Sequence, residues 1–114
     1  MQQPAAPGLA RLVRRSEFVA VYRTGQRRSS AQFLVFFRAS GRPVSRFGIS
    51  IKKALGGAVV RNRMRRRIRE ILRRNSSEIP SGWDLVIHPR RTVAQADFAA
   101  LTAELLRLVR GGAR

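Results

Sequence analysis

The sequence has no cysteine, which excludes a disulfide framework and any thiolate metal site. It has a single histidine, His88, set just before Pro89 and read here as structural. The carboxylates Glu70, Asp84 and Asp97 stand too far apart in sequence to suggest a metal cluster, and Asp97 fits the first turn of a helix better. With no acid–base pair and no metal ligands in view, no catalytic residue and no metal-binding residue is assigned. Long apolar runs are also missing: nothing approaches the roughly 18 residues of a membrane span. The opening MQQPAAPGLARLVRR lacks the apolar core of a signal peptide, so a cytoplasmic location without membrane contact is expected.

Acidic residues are scarce as well, and their scarcity leads to the main feature of the chain. Six carboxylates face 24 lysines and arginines, a formal net charge of +18 on 114 residues. Hydrophobic residues still make up 44%, enough for one folded domain rather than a disordered basic tail. Such a charge on a folded body calls for a polyanion, and nucleic acid is the commonest one. Only Lys52 and Lys53 are lysine; all other cations are arginine, which binds phosphate bidentately and stacks on bases. A GC-rich genome would also favour arginine over lysine, but it does not create net charge.

Residues 1–8, rich in Pro, Gln and Ala, read as a flexible N-terminal segment ahead of a single domain over 9–112. Ser16-Glu17-Phe18 resembles a helix start with Ser16 as N-cap and Gly25 as the stop. Gln32 to Arg38 alternates as a strand, Phe33, Val35 and Phe37 on one face and Leu34 and Phe36 on the other. A turn at Gly41-Arg42-Pro43 leads to a second strand, Arg46 to Ile51, expected to pair with the first as a hairpin. From Val60 to Arg74 the apolar residues Val60, Met64, Ile68, Ile71 and Leu72 recur at helical spacing. Trp83 to His88 reads as a third strand, parallel to a partner because a long crossover helix precedes it. Phe98, Leu101, Leu105 and Leu108 form the stripe of a last helix closed by Gly111-Gly112. The expected order is αββαβα, an α+β two-layer sandwich.

Eight arginines lie in VRNRMRRRIREILRR, offset only by Glu70. The apolar seam fills one side of the helix, so the guanidinium groups spread over the remainder, where like charges one turn apart repel. A bound phosphate backbone reverses that penalty. RNA fits better than DNA, because no helix-turn-helix, zinc finger or basic zipper is present. Phe18 and Tyr22, with Leu34 and Phe36, also promise an apolar floor on which unpaired bases stack. Core packing is the competing role for these side chains; Tyr22, with a hydroxyl to satisfy, best suits a partly open position.

Residues 58–70, AVVRNRMRRRIRE, resemble the signature of the bacterial ribonuclease P protein, Ala-Val-x-Arg-Asn-Arg-x-Lys-Arg-x-x-Arg-Glu. Leu12, Glu17-Phe18-x-x-Val21-Tyr22-x-x-Gly25, Arg46-x-Gly48-x-Ser50, Asp84 and Arg90 agree with the family in order and spacing. The resemblance implies a fold like domain 2 of ribosomal protein S5, with a left-handed βαβ crossover where sequence alone would predict the opposite hand. It implies a protein subunit that joins a catalytic RNA in removing the 5′ leader of precursor tRNA, the RNA doing the chemistry with magnesium. The expected partners are that RNA and the precursor, in a 1:1 particle holding one copy of the protein.

The same resemblance implies that Arg61, Asn62, Arg63, Arg65, Arg66 and Arg69 face RNA, with Arg67 and Lys53 added from the same basic stretch. It places Phe18, Tyr22, Leu34, Phe36 and Ser50 in a leader-binding cleft. This chain departs from the family before the helix, where Ala54 replaces a family lysine. Lys52 is a poor substitute, because strand alternation turns it to the other face. A ribosomal protein or general RNA chaperone would share the charge, size and class, whereas a membrane-active helix would need Trp, Phe or several Leu on its apolar face.

Overall fold

The computed structural model describes residues 9–112. The segment 1–8, expected to be flexible, lies outside the described residues. The elements are β1 (Leu9–Arg11), α1 (Arg15–Thr24), β2 (Gln26–Ser29), β3 (Phe33–Ala39), β4 (Ser45–Ile49), α2 (Ala58–Arg74), β5 (Trp83–Pro89) and α3 (Phe98–Gly112). The α+β class and the order of the expected elements hold, with β1 and β2 added. The five strands form one mixed sheet in the order β1-β4-β5-β3-β2.

The expected hairpin does not form. β5 inserts between β3 and β4, antiparallel to β3 and parallel to β4. The parallel pairing follows from the crossover through α2, as anticipated. The outer strands are short: β1 runs parallel to β4 and β2 antiparallel to β3.

Period-two alternation sorts the strand residues between two faces. On one, Phe33, Val35, Phe37, Leu85 and Ile87 pack against Met64, Ile68, Ile71 and Leu72 of α2 and Leu101, Leu105, Leu108 and Val109 of α3. Burying each large apolar side chain contributes about 1.5–3 kcal/mol, so this layer supplies most of the stability. Val60, expected in the seam, is 36% exposed, and the buried residues of α2 begin only at Met64. α3 continues through Gly111 rather than closing before it. Asp97 caps α3, its carboxylate accepting the Ala100 N–H at 3.0 Å.

The other face is covered by α1, where Leu12, Val21 and Val86 form a smaller cluster with Phe18 and Phe36. The helix begins at Arg15, ahead of the expected cap at Ser16, and Glu17 caps it instead. The Glu17 carboxylate turns back to accept the N–H groups of Val13 and Arg14 at 2.8 and 2.9 Å. Gly25 ends α1 as expected, for reasons of space: a Cβ there would stand 2.3 Å from the Phe37 carbonyl oxygen.

An ion cluster fixes α1 to the sheet. Arg46 donates to both oxygens of the fully buried Asp84, at 2.9 and 2.8 Å, and to Glu17 at 2.8 Å. A buried carboxylate is tolerable only with such complete pairing. The Glu17-Phe18 and Arg46-x-Gly48 motifs and Asp84 are thereby three parts of one joint.

Candidate nucleic-acid interface

The α1 side of the sheet consists of cross-strand rows set by the register. Arg38, Asp84 and Arg46 form a charged row; Phe36, Val86 and Gly48 form an apolar one beside it. Leu34 and His88 pair in the third row, which Ser50 extends through the hydrogen bond from its N–H to Ile87 O. α1 covers the first two rows and leaves the third open.

Side-chain size decides how α1 sits on these rows. Gly48 presents no Cβ, and the Phe18 ring fills that space: a methyl there would lie 2.4 Å from two ring carbons. Tyr22 stands edge-on to Phe36, ring centroids 4.9 Å apart, and remains 38% exposed. Its hydroxyl lies 2.9 Å from His88 Nε2, and His88 is edge-on to Phe36 at 5.4 Å. Phe18, Tyr22, Leu34, Phe36 and Ser50, predicted to share a cleft, are therefore on one face of the molecule.

The open third row continues into a hollow of about 240 Å³ lined by Leu34, Ser50, Lys52, Leu55, His88, Pro89, Arg90 and Arg91. Strand alternation does not turn Lys52 away, because β4 ends at Ile49 and Lys53–Leu55 is a 3-10 turn. Lys52 borders the hollow instead. Burial, and next the charge of Lys52, push the His88 imidazole below its ordinary value, so it is neutral at pH 7. The histidine read as structural is thus part of the candidate surface, sharing strand parity with Asp84 and Val86. That parity was the signal available for it.

The arginines of α2 divide among several surroundings, as the 100° step requires. Arg65 and Arg69 line a second hollow, about 170 Å³, with Arg11, Leu12, Phe18, Phe47, Gly48 and Ile49. Burial and the nearby charges of Arg11 and Arg65 push the Arg69 guanidinium below its usual range. Arg63 lines a groove together with Arg91, Val59 and Val60. Arg66 and Arg74 lie with Phe98 on the far flank. Arg67 donates to the carbonyls of Val93 and Ala96 at 2.8 and 2.6 Å, tying α2 to the turn before α3. Arg61 donates to Gly56 O at 3.0 Å, and Asn62 accepts from Arg65 at 3.1 Å. Lys53 is exposed in the turn ahead of the helix.

Among the described residues no group of three or more His, Asp or Glu is placed to hold a metal ion. Among them also, no helix is long and apolar enough to cross a membrane. The arrangement suits binding: aromatic edges and an apolar floor for bases, and guanidinium groups at its border for phosphates.

A family model described as Ribonuclease P matches residues 7–111. The ribonuclease P protein component of Thermotoga maritima is 36% identical over 104 residues, covering 88% of this chain and 89% of that one. That of Oleidesulfovibrio alaskensis is 39% identical over 105 residues, covering 89% and 84%. The solved structure of the T. maritima protein superposes with a TM-score of 0.82 at 36% identity, covering 89% of this chain and 96% of that one. The Staphylococcus aureus protein gives 0.78 at 27% identity, covering 88% and 92%.

Proposed function

The chain belongs to the ribonuclease P protein family and so to tRNA processing, and from that premise we propose that it holds two RNAs at once. One is the catalytic RNA of the ribonucleoprotein, met by the exposed arginines of α2, among them Arg63, Arg65, Arg66 and Arg69, with Asn62 and Lys53 beside them. The other is the unpaired 5′ leader of precursor tRNA, laid over Phe18, Tyr22, Leu34, Phe36 and Ser50. Arg61 and Arg67 serve this surface chiefly by holding the ends and flank of α2, through their bonds to backbone carbonyls. One copy of the protein acts per particle, in the cytoplasm. The left-handed crossover and the kinship to ribosomal protein S5 are part of this reading.

A single observation carries it: Phe18, at the end of the aromatic floor, lines the same hollow as Arg65 and Arg69. A strand leaving the floor meets the basic helix without a gap. The protein then works on binding, lowering repulsion between two polyanions and lengthening the grip on the substrate. Bond cleavage and its magnesium belong to the RNA subunit. Added magnesium should then partly replace the protein by supplying the same screening.

The test compares precursor with mature tRNA on the reconstituted particle. Tyr22→Ala should weaken binding of the leader-bearing precursor by about tenfold, the value of one stacked base, and leave mature tRNA unaffected. Equal loss for both removes the leader floor. Copurification with ribosomal RNA, and no cleavage at the leader junction, would favour a ribosomal or chaperone role instead.

A further inference from the structure

We propose that His88 is a pH-responsive contact of the leader site, the imidazole taking up a proton when a phosphodiester of the unpaired strand seats in the neighbouring hollow. This rests on the leader-binding reading of the α1 face and adds to it a residue, a chemical group on the ligand and a condition.

The geometry supports it in three respects. First, His88 joins the floor to the hollow: its ring meets Tyr22 and Phe36 on one side and lines the 240 Å³ hollow on the other. Second, the ionisable groups around that hollow all carry positive charge or none: Lys52 from the segment after β4, Arg90 and Arg91 from the segment after β5, and Tyr22 from α1. β3 contributes only Leu34 and Phe36 to the imidazole's surroundings, and the β4 side only the Ser50 hydroxyl. No carboxylate lines the hollow, so its counter-anion must come from a ligand. Third, Nε2 is engaged by the Tyr22 hydroxyl, and among the described residues no protein group bonds to Nδ1.

The protonation states follow from these contacts. The proposal assigns the free protein the tautomer in which Tyr22 O–H donates to Nε2 and the proton of the neutral ring sits on Nδ1, where among the described residues no protein group competes for it. Lys52 and burial oppose a second proton. A phosphate among Lys52, Arg90 and Arg91 reverses the local potential and favours the imidazolium, whose Nε2–H then donates to the Tyr22 oxygen. A ligand that raises a group's pKa binds with proton uptake, so affinity rises as pH falls through the bound-state value and levels off below the free-state value.

The single histidine makes the test direct. Imidazole ¹⁵N resonances report tautomer and pKa without assignment ambiguity, for the protein alone and with a single-stranded leader oligonucleotide. In parallel, binding of precursor and mature tRNA to the reconstituted particle is measured between about pH 7.5 and 5.5. The leader advantage, precursor over mature, should grow by about fivefold toward the lower pH in wild type, and His88→Leu should make it flat. The free ring should show the Nδ1–H tautomer, with a pKa that rises on adding the oligonucleotide. A leader advantage present but flat in pH for wild type as well, with an unmoved pKa, overturns the role of His88 and leaves the leader site standing. No leader advantage at any pH overturns both.

Discussion

Gly48 illustrates how one atom determines the candidate site. The missing Cβ admits the Phe18 ring against the sheet, and that ring ends the aromatic floor. Gly48→Ala should displace the ring at a cost of about 1–3 kcal/mol, the usual range for overpacking. The folded protein should then lose leader preference while still binding the catalytic RNA, which filter binding with the two RNAs separately would reveal. Unchanged leader preference would mean that Phe18 is a core residue only. Arg46 governs the neighbouring row. Arg46→Met leaves the buried Asp84 with only Arg38, 3.6 Å away. Breaking one side of a buried pair costs about 3–5 kcal/mol, to be read from urea denaturation, and Asp84→Asn in the same chain should recover part of it.

Among the elements, α2 was the most legible in sequence, because Met64, Ile68, Ile71 and Leu72 repeat at helical spacing and are buried as that spacing implies. β3 was equally plain, its alternation of Phe33, Val35 and Phe37 with Leu34 and Phe36 reproduced between the two faces. β1 and β2 were not legible: Leu9–Arg11 is three residues long, and Gln26–Ser29 is polar and exposed, so neither carries a hydrophobic period. Their pairing with β4 and β3 makes them strands. The supposed hairpin failed because local turn signals do not report a strand arriving from beyond α2. The proposed cleft positions came from the family motif; helical and strand periods agreed with their sharing a face but left core packing open for Leu34 and Phe36. His88 was read as structural because a lone histidine before a proline has no local signature of function; only the strand parity it shares with Asp84 and Val86 puts it on the α1 side of the sheet. On α2 itself, Arg65→Glu should weaken RNA binding with the same sign for every leader sequence, since phosphate contacts carry no base information. The salt dependence should also flatten, by about 0.7 in the logarithmic slope for each single-strand phosphate that the variant no longer neutralises. A change in sequence preference would place Arg65 on a base instead.

For the molecule as a whole, charge sets the conditions under which it is stable. The backbone N–H groups of Arg14 and Val13, with Arg46 adding its charge, hold the Glu17 carboxyl down to about 2. Hydrogen bonds from Arg73 and Arg74 hold Glu70 at about 2 as well. Burial works against the charge of Glu104, but bonds from Ser30 and Gln32 outweigh it and lower that carboxyl too. All three have folded-state values below their unfolded ones, so their contributions are present above about pH 4.5 and fade on acidification, those of Glu17 and Glu70 being lost as pH falls toward 2. Thermal midpoints measured between about pH 6 and 2.5 should fall steeply in the lower part of that range, and Glu17→Gln should show a shallower fall. Equal slopes would remove Glu17 from the account. The sheet order has a consequence for synthesis. Among the described strands β5 is the only one that touches both β3 and β4, yet it is the last to leave the ribosome. A nascent chain ending before Trp83 holds two separate strand pairs with nothing to join them, and neither the third row nor the hollow beside it exists. The growing chain therefore carries most of its positive charge before the surface proposed to sort one RNA from another has taken shape, and on that proposal selectivity arrives only once β5 has emerged.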